Sequence, residues 1–310
     1  MRIIITGASK GSFLGNHVRR RFQKTGFSPI YTGSEYDLTK ESNADALMRD
    51  LNPQTVVHMA AKCGGILANK NSPAEFIRDN VRINTNIVDA CHRHNVEYLL
   101  TLGSVCMYPK YCPVPFNEDD IFNGKSEETN HPYGESKKLM LTTQNAYRDQ
   151  YGMKSCMIIP VNMLGEWDHF DLVNSHVIPA LINKFINAKE NDLSEVPIWG
   201  TGEATREFLY AGDCAEAIIK AIMTGLDTPK PINIGTGKDI SIKDLAYLIR
   251  KLTKYEGEIT FTGEVSDGQP ERRLDVSRAK KLLGFTAKIG LREGLKKTIK
   301  WYLENKNGNN

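Results

Sequence analysis

Tyr133 and Lys137 stand four residues apart in the stretch His131-Pro132-Tyr133-Gly134-Glu135-Ser136-Lys137. On a helix that spacing puts both side chains on one face, one turn from each other. Pro132 suits a first helical turn, since its missing N–H is one that a helix start leaves unpaired anyway. A phenol titrates at about pH 10 and is a poor acid or base near neutrality, whereas a neighbouring ammonium favours the phenolate and lowers that value. The pair therefore reads as a general acid/base for carbonyl–alcohol chemistry. The spacing alone is common, and an ordinary amphipathic helix also produces it. Ser104 and Cys106 are the next candidates, because they follow the apolar run Tyr98–Leu102 directly. A thiol there is usually inert packing, but beside a serine at a strand end it can serve as an acid or base.

Positioning those side chains requires a sheet, and the chain spells one out. Arg2-Ile-Ile-Ile-Thr6 reads as a buried parallel strand, followed by Gly7, Gly11 and Gly15 and then a helical pattern to Lys24. Strand, glycine turn and helix is the context for a dinucleotide site, where backbone approaches a pyrophosphate at a helix N-terminus. Further strands are expected at Ser28–Thr32, Thr55–His58, Tyr98–Leu102 and Ser155–Ile159, with helices between them. The predicted fold is therefore α/β, a doubly wound parallel (Rossmann) sheet. A smaller, interleaved C-terminal α/β substrate domain is expected beside it. The reading places residues 1–163 in the dinucleotide domain, with 207–235 returning to it, and 164–206 and 236–310 in the substrate domain.

Composition narrows the function classes. The 310 residues carry a formal charge of +3 without a basic block, so neither nucleic acid nor an acidic membrane is implied as partner. No run is long and apolar enough for a membrane span, and the start reads as a strand rather than a signal peptide, so a cytoplasmic location is expected. The six cysteines form no C-x-x-C pair and no metal spacing, so reduced thiols and no metal site are expected.

Several spaced motifs resemble the extended short-chain dehydrogenase/reductases, and within them the GDP-L-fucose synthase group. They are Ala60-Ala-Lys-Cys-Gly-Gly-Ile66, Gly103-Ser-Val-Cys-Met-Tyr-Pro109, Pro132-Tyr-Gly-Glu-Ser-Lys137, Pro160-Val-Asn162, Asn174-Ser-His-Val-Ile-Pro-Ala-Leu181 and Trp199-Gly-Thr-Gly-Glu-Ala-Thr-Arg-Glu-Phe208. The resemblance implies that Ser104, Tyr133 and Lys137 form a reductase triad, in which Lys137 holds a nicotinamide ribose and keeps Tyr133 acidic. It implies Cys106 as an epimerase base and His176 as its acid partner. Cofactor contacts are implied at Gly7, Lys10, Gly11, Gly15, Leu102, Gly103, Val105, Pro160, Val161, Asn162 and Met163, with Lys137 and His176. Lys184, Trp199, Arg206 and Asp267 match positions that bind a GDP-sugar. A homodimer built on the Tyr133 helix is implied in the same way.

The implied reaction is NADPH-dependent 3,5-epimerisation and 4-reduction of a GDP-4-keto-6-deoxymannose. Read from the residues alone, His176 is a helix N-terminal residue and Arg206 a surface charge. Lys10 favours NADP through a 2′-phosphate, while Glu35 after the second strand points to NAD, which stays possible. Four departures from the family pattern stand out, the first being a glycine loop, Gly7 to Gly15, longer than the family's. Gly33-Ser34 lies where a base is usual, Lys184 where an arginine is usual, and Gly165-Glu166-Trp167 where Gly-Pro is usual. Other GDP-4-keto sugars, such as a heptose or a dideoxyhexose, and a dinucleotide-sensing protein without catalysis are the rival readings.

Overall fold

Ile3–Thr6 (β1) is buried on every residue, as expected of a strand covered by helices on both sides. The computed structural model describes residues 1–171, 175–263 and 269–306. After β1 come α1 (Phe13–Phe22), β2 (Ile30–Tyr31), α2 (Glu41–Leu51), β3 (Thr55–His58), α3 (Ile66–Asn71), α4 (Pro73–Arg93) and β4 (Tyr98–Leu102). Then follow α5 (His131–Tyr151), β5 (Ser155–Pro160), β6 (Asn162–Leu164), α6 (Val177–Glu190), β7 (Glu195–Ile198) and β8 (Thr205–Tyr210). The chain ends with α7 (Ala211–Thr224), β9 (Ile232–Ile234), β10 (Asp239–Ser241), α8 (Ile242–Thr253), β11 (Glu258–Phe261), α9 (Ser277–Leu283) and α10 (Leu291–Asn305).

Six strands form one sheet in the order β2-β1-β3-β4-β5-β9, every pair parallel. Alternate side chains face opposite layers. Ile3 and Ile5 join a core with Val18 of α1 and Ala215 and Ile218 of α7. Ile4 joins one with Leu47 of α2 and Ile87 of α4. A third core gathers Ile182, Phe185, Leu245 and Leu295 of α6, α8 and α10. Because the strands run parallel, all their carboxyl ends open on one edge, where crossover loops leave room for ligands.

Two differences from the expected organisation concern where the chain crosses. The return at 207 does not enter the large sheet: β8 pairs with β6 and β10 in a separate three-stranded sheet, and α7 and β9 make the return instead. After 236 the chain does not stay with the smaller unit. Leu274, Ala279, Leu283 and Phe285 pack into the large core beside β9. Apolar spacing identifies such helices without revealing which of two cores they enter. Asp37 bonds Thr39 in a local turn, and α2 begins after that turn at Glu41.

A buried polar chain ties α5 to the sheet. The Thr6 hydroxyl bonds His58 Nδ1 at 2.9 Å, His58 Nε2 bonds Asn84 Oδ1 at 3.3 Å, and Asn84 Nδ2 donates to the Ser136 carbonyl at 3.2 Å. Buried polar atoms are expensive unless paired, so this chain fixes the rotation of α5 as well as its distance from β3.

Candidate active site

Tyr133 and Lys137 do share the first turns of α5, with His131 and Pro132 opening the helix. They do not interact as the spacing suggests. Lys137 is buried, and its Nζ donates to the Leu102 carbonyl at 2.9 Å, at the carboxyl end of β4. It lies 5.9 Å from the centre of the Tyr133 ring. Burial lowers the Lys137 pKa. The Tyr133 phenol is pushed well above its ordinary value, first by burial and then by the neighbouring Cys63 and Cys106 thiols, with a Ser104 hydrogen bond opposing. These directions run opposite to the expected role of Lys137 in keeping Tyr133 acidic. Burial outweighs an ammonium that is already engaged by a carbonyl. A high phenol pKa keeps the proton on Tyr133, which is the form a proton donor needs.

Ser104 caps a short 3₁₀ turn, Val105–Met107, by accepting from the Cys106 N–H at 3.2 Å. The turn presents Ser104 and Cys106, both partly exposed, to the phenol. A second thiol reaches it from the loop after β3, with Cys63 Sγ 3.5 Å from the Tyr133 hydroxyl. The sequence reading quoted Cys63 only within a motif. Its signal was position, a thiol beside glycines at the carboxyl end of the strand neighbouring that of Ser104.

The edge around this cluster fits an extended dinucleotide. Gly7 has φ +68°, and a β-carbon there would lie 2.6 Å from the Ala60 backbone. A β-carbon on Gly15 would meet Ala8 Cα at 2.8 Å, while one on Gly11 (φ +92°) would meet nothing within 4 Å. Ser12 closes the loop, donating to the Gly7 carbonyl at 2.9 Å and accepting from the Gly15 N–H at 3.3 Å. The α1 N-terminus thus has open space before it, as an anionic diphosphate requires. Lys10 is exposed on this loop. Leu102 ends β4, with Gly103 and Val105 just beyond it; Pro160 ends the neighbouring β5, and after Val161 the chain passes into β6 at Asn162 and Met163. Glu35 folds back to accept from the Gly33 N–H at 2.8 Å, so that carboxylate is already engaged.

Further out, Lys184 of α6 donates to the Pro197 carbonyl at 2.8 Å and sits 4.9 Å over the Trp199 ring. Trp199 remains 50% exposed, so its indole is free to stack on a flat ligand. Arg206 lies on β8 in register with Ile240, its Nη1 donating to the Thr205 carbonyl at 2.7 Å. His176 occupies the N-cap of α6 and is exposed there. Among the described residues no hydrogen bond joins it to the thiol–phenol cluster. Asp267, and the expected cap residue Asn174, lie outside the described residues.

This arrangement has close relatives. Residues 3–235 match the model of the NAD dependent epimerase/dehydratase family. The chain is 37% identical over 302 residues to GDP-L-fucose synthase 1 of Arabidopsis thaliana, covering 96% of this chain and 92% of that one. It is 36% identical over 314 residues to the GDP-L-fucose synthase of Escherichia coli, covering 98% and 97%. The chain belongs to the NAD dependent epimerase/dehydratase family. Among solved structures, the GDP-mannoheptose C4 reductase of Campylobacter jejuni with NADP bound superposes with a TM-score of 0.87 at 28% identity, covering 97% of this chain and 98% of that one.

Within this epimerase/dehydratase, three buried polar groups to which the sequence assigns no role hold the elements around the site. His58 and Asn84 orient α5, as above. Glu207 is fully buried and accepts from the N–H groups of Gly237 at 2.8 Å and Leu274 at 2.7 Å, pinning two loops to β8. No local pattern marks them, because each acts on a partner far along the chain. The described residues contain no group of three or more potential metal-binding side chains, and no helix long and apolar enough to cross a membrane.

Proposed function

We propose that this enzyme converts GDP-4-keto-6-deoxy-D-mannose to GDP-L-fucose by 3,5-epimerisation and 4-reduction with NADPH. The convergence of Ser104, Cys106 and Tyr133 over Lys137 at the open edge of the sheet carries the reading. A 4-keto group acidifies the C3 and C5 protons. Cys106 takes one of them on one face, the charge passes to the C4 oxygen as an enediolate, and His176 returns a proton on the other face. Ser104 holds the C4 oxygen by a hydrogen bond. When bound, the nicotinamide supplies hydride to C4. Tyr133 gives its proton to the C4 oxygen, which removes the ketone and ends epimerisation. Positioned proton transfers of this kind each contribute about 10²–10⁴-fold.

The Gly7–Gly15 loop would hold the cofactor's diphosphate, and Lys10 would meet a 2′-phosphate. Lys184, Trp199 and Arg206, joined by Asp267, hold the GDP. A cytoplasmic homodimer completes the reading. Incubation with the 4-keto sugar and NADPH, followed by product NMR, tests it: NADPH is consumed and GDP-L-fucose appears. No turnover would overturn the substrate. The same assay with a GDP-4-keto heptose addresses the second reading, which the likeness to the heptose C4 reductase favours.

A further inference from the structure

Tyr133 must present its proton to one oxygen in one direction, yet Lys137, the group expected to orient it, is bonded to the Leu102 carbonyl. Two side chains engage the phenol oxygen instead: Ser104 through a hydrogen bond, and Cys63, whose Sγ lies 3.5 Å away. The position of Cys63 is firmly set. Asn80 of α4, fully buried, accepts from the Lys62 N–H at 2.9 Å and donates back to the Lys62 carbonyl at 3.0 Å. The Asn80 amide also donates to the Phe76 carbonyl at 2.8 Å, which fixes its rotamer. Lys62 Nζ is paired with Asp79 at 2.9 Å. On the other side of Cys63, Gly64 packs so tightly that a β-carbon would lie 2.8 Å from that of Ala68. The thiol is therefore carried on a clamped loop, and its exposure comes from facing the open edge. Apolar burial explains Cys91, Cys156 and Cys214, but it cannot explain a thiol aimed at a phenol.

We propose that Cys63 is a positioning residue for the reductive step, its thiol holding the Tyr133 hydroxyl in the direction from which the proton reaches the sugar C4 oxygen. The step itself is unchanged: the Tyr133 O–H bond breaks, the C4 oxygen gains the proton, and Cys63 is neither oxidised nor acylated. The assignment rests on the reaction proposed above, and it separates the two halves of that reaction. Cys106 works at C3 and C5 and does not need the phenol to be oriented, whereas reduction does.

The test compares Cys63→Ala with Cys63→Ser, measuring NADPH oxidation and solvent-deuterium incorporation at C3 and C5 on the same GDP-4-keto-6-deoxy-D-mannose. One neutral hydrogen bond is worth about 1 kcal/mol, so the ratio of reduction to exchange should fall about fivefold in Cys63→Ala. Cys63→Ser, whose hydroxyl can replace the bond, should restore most of that ratio. An unchanged ratio in Cys63→Ala, or equal loss in both variants, would overturn the proposal. A second arm needs no substrate. In protein labelled with tyrosine carrying ¹³C at Cζ, the resonance missing from Tyr133→Phe identifies Tyr133. That resonance should move in Cys63→Ala and move back toward its original position in Cys63→Ser. A resonance indifferent to Cys63 would sink the assignment even if the sugar substrate proves to be a different one.

Discussion

Gly134 lies against the carbonyl of Cys106, so close that a β-carbon on it would sit 2.3 Å from that oxygen. The contact joins the first turn of α5 to the 3₁₀ turn after β4, and so fixes Tyr133 relative to Cys106. The obstructing atom is backbone and cannot rotate away. In Gly134→Ala the better helix propensity, about 1 kcal/mol, is set against an overpacking cost of about 1–3 kcal/mol. The helix start must move. Thermal unfolding should begin several degrees lower, and exchange and reduction should both fall by about tenfold or more, since small misplacements of reacting groups are costly. A variant with the original melting temperature and full activity would show that the two turns are not rigidly coupled.

Cys106 and Tyr133 serve different bonds in the proposed reaction, so their substitutions should come apart. Cys106→Ser should abolish deuterium incorporation at C3 and C5. Tyr133→Phe should lower NADPH oxidation by about 10²-fold or more while exchange stays measurable, because a general acid is lost and the epimerase base is not. NMR of the sugar after incubation in deuterium oxide reads both. If Tyr133→Phe removes exchange as completely as Cys106→Ser does, one residue is doing both jobs and the division of labour is wrong.

The parts of this site that were legible in the sequence are those encoded by local pattern. Short apolar runs mark β1, β3, β4 and β5, and proline with a four-residue spacing marks the start of α5. Strand ends then place the glycine loop, Ser104 and Cys106 on one edge without any coordinates. The electrostatics of Tyr133 could not be read this way. Spacing puts an ammonium near the phenol, but only the packing shows that Lys137 is taken by Leu102 and that two thiols and burial act on Tyr133. The short strands β6, β7 and β10 escaped for a related reason. Each has three or four residues, and their partners lie up to dozens of positions away.

His58 offers a pH test of the buried chain that holds α5. Its imidazole is fully buried, and its pKa is lowered to about 3, by burial first and then by the Lys137 charge. In the unfolded chain it titrates near its ordinary value of about 6.5. Between those values the unfolded state binds a proton that the folded state refuses, so stability rises with pH. The contribution is fully present above about pH 6.5 and is lost as pH falls toward 3. Urea unfolding at a series of pH values should show wild-type stability declining through this window. In His58→Gln the slope should be shallower, with lower stability at pH 7 because the bonds to Thr6 and Asn84 are altered. Parallel slopes in the two proteins would mean that His58 does not carry this acid sensitivity.

Lys184 and Trp199 set up the last prediction, about binding rather than chemistry. The ammonium lies 4.9 Å over the indole centre and is also bonded to the Pro197 carbonyl. Burial lowers the Lys184 pKa. The half-exposed indole is then a platform for a purine, with the charge beside it available to a phosphate. Base stacking on an aromatic side chain is worth about 1–3 kcal/mol. Trp199→Ala should therefore raise the KM for the GDP-sugar by about tenfold and change kcat little, since the indole is remote from the reacting carbons. Lys184→Arg should bind at least as well, because a guanidinium can grip a diphosphate through two hydrogen bonds. Titrating wild-type protein with GDP should change the tryptophan fluorescence, and Trp199→Phe should remove most of that change. A loss of kcat without a change in KM in Trp199→Ala would move the guanine away from this surface.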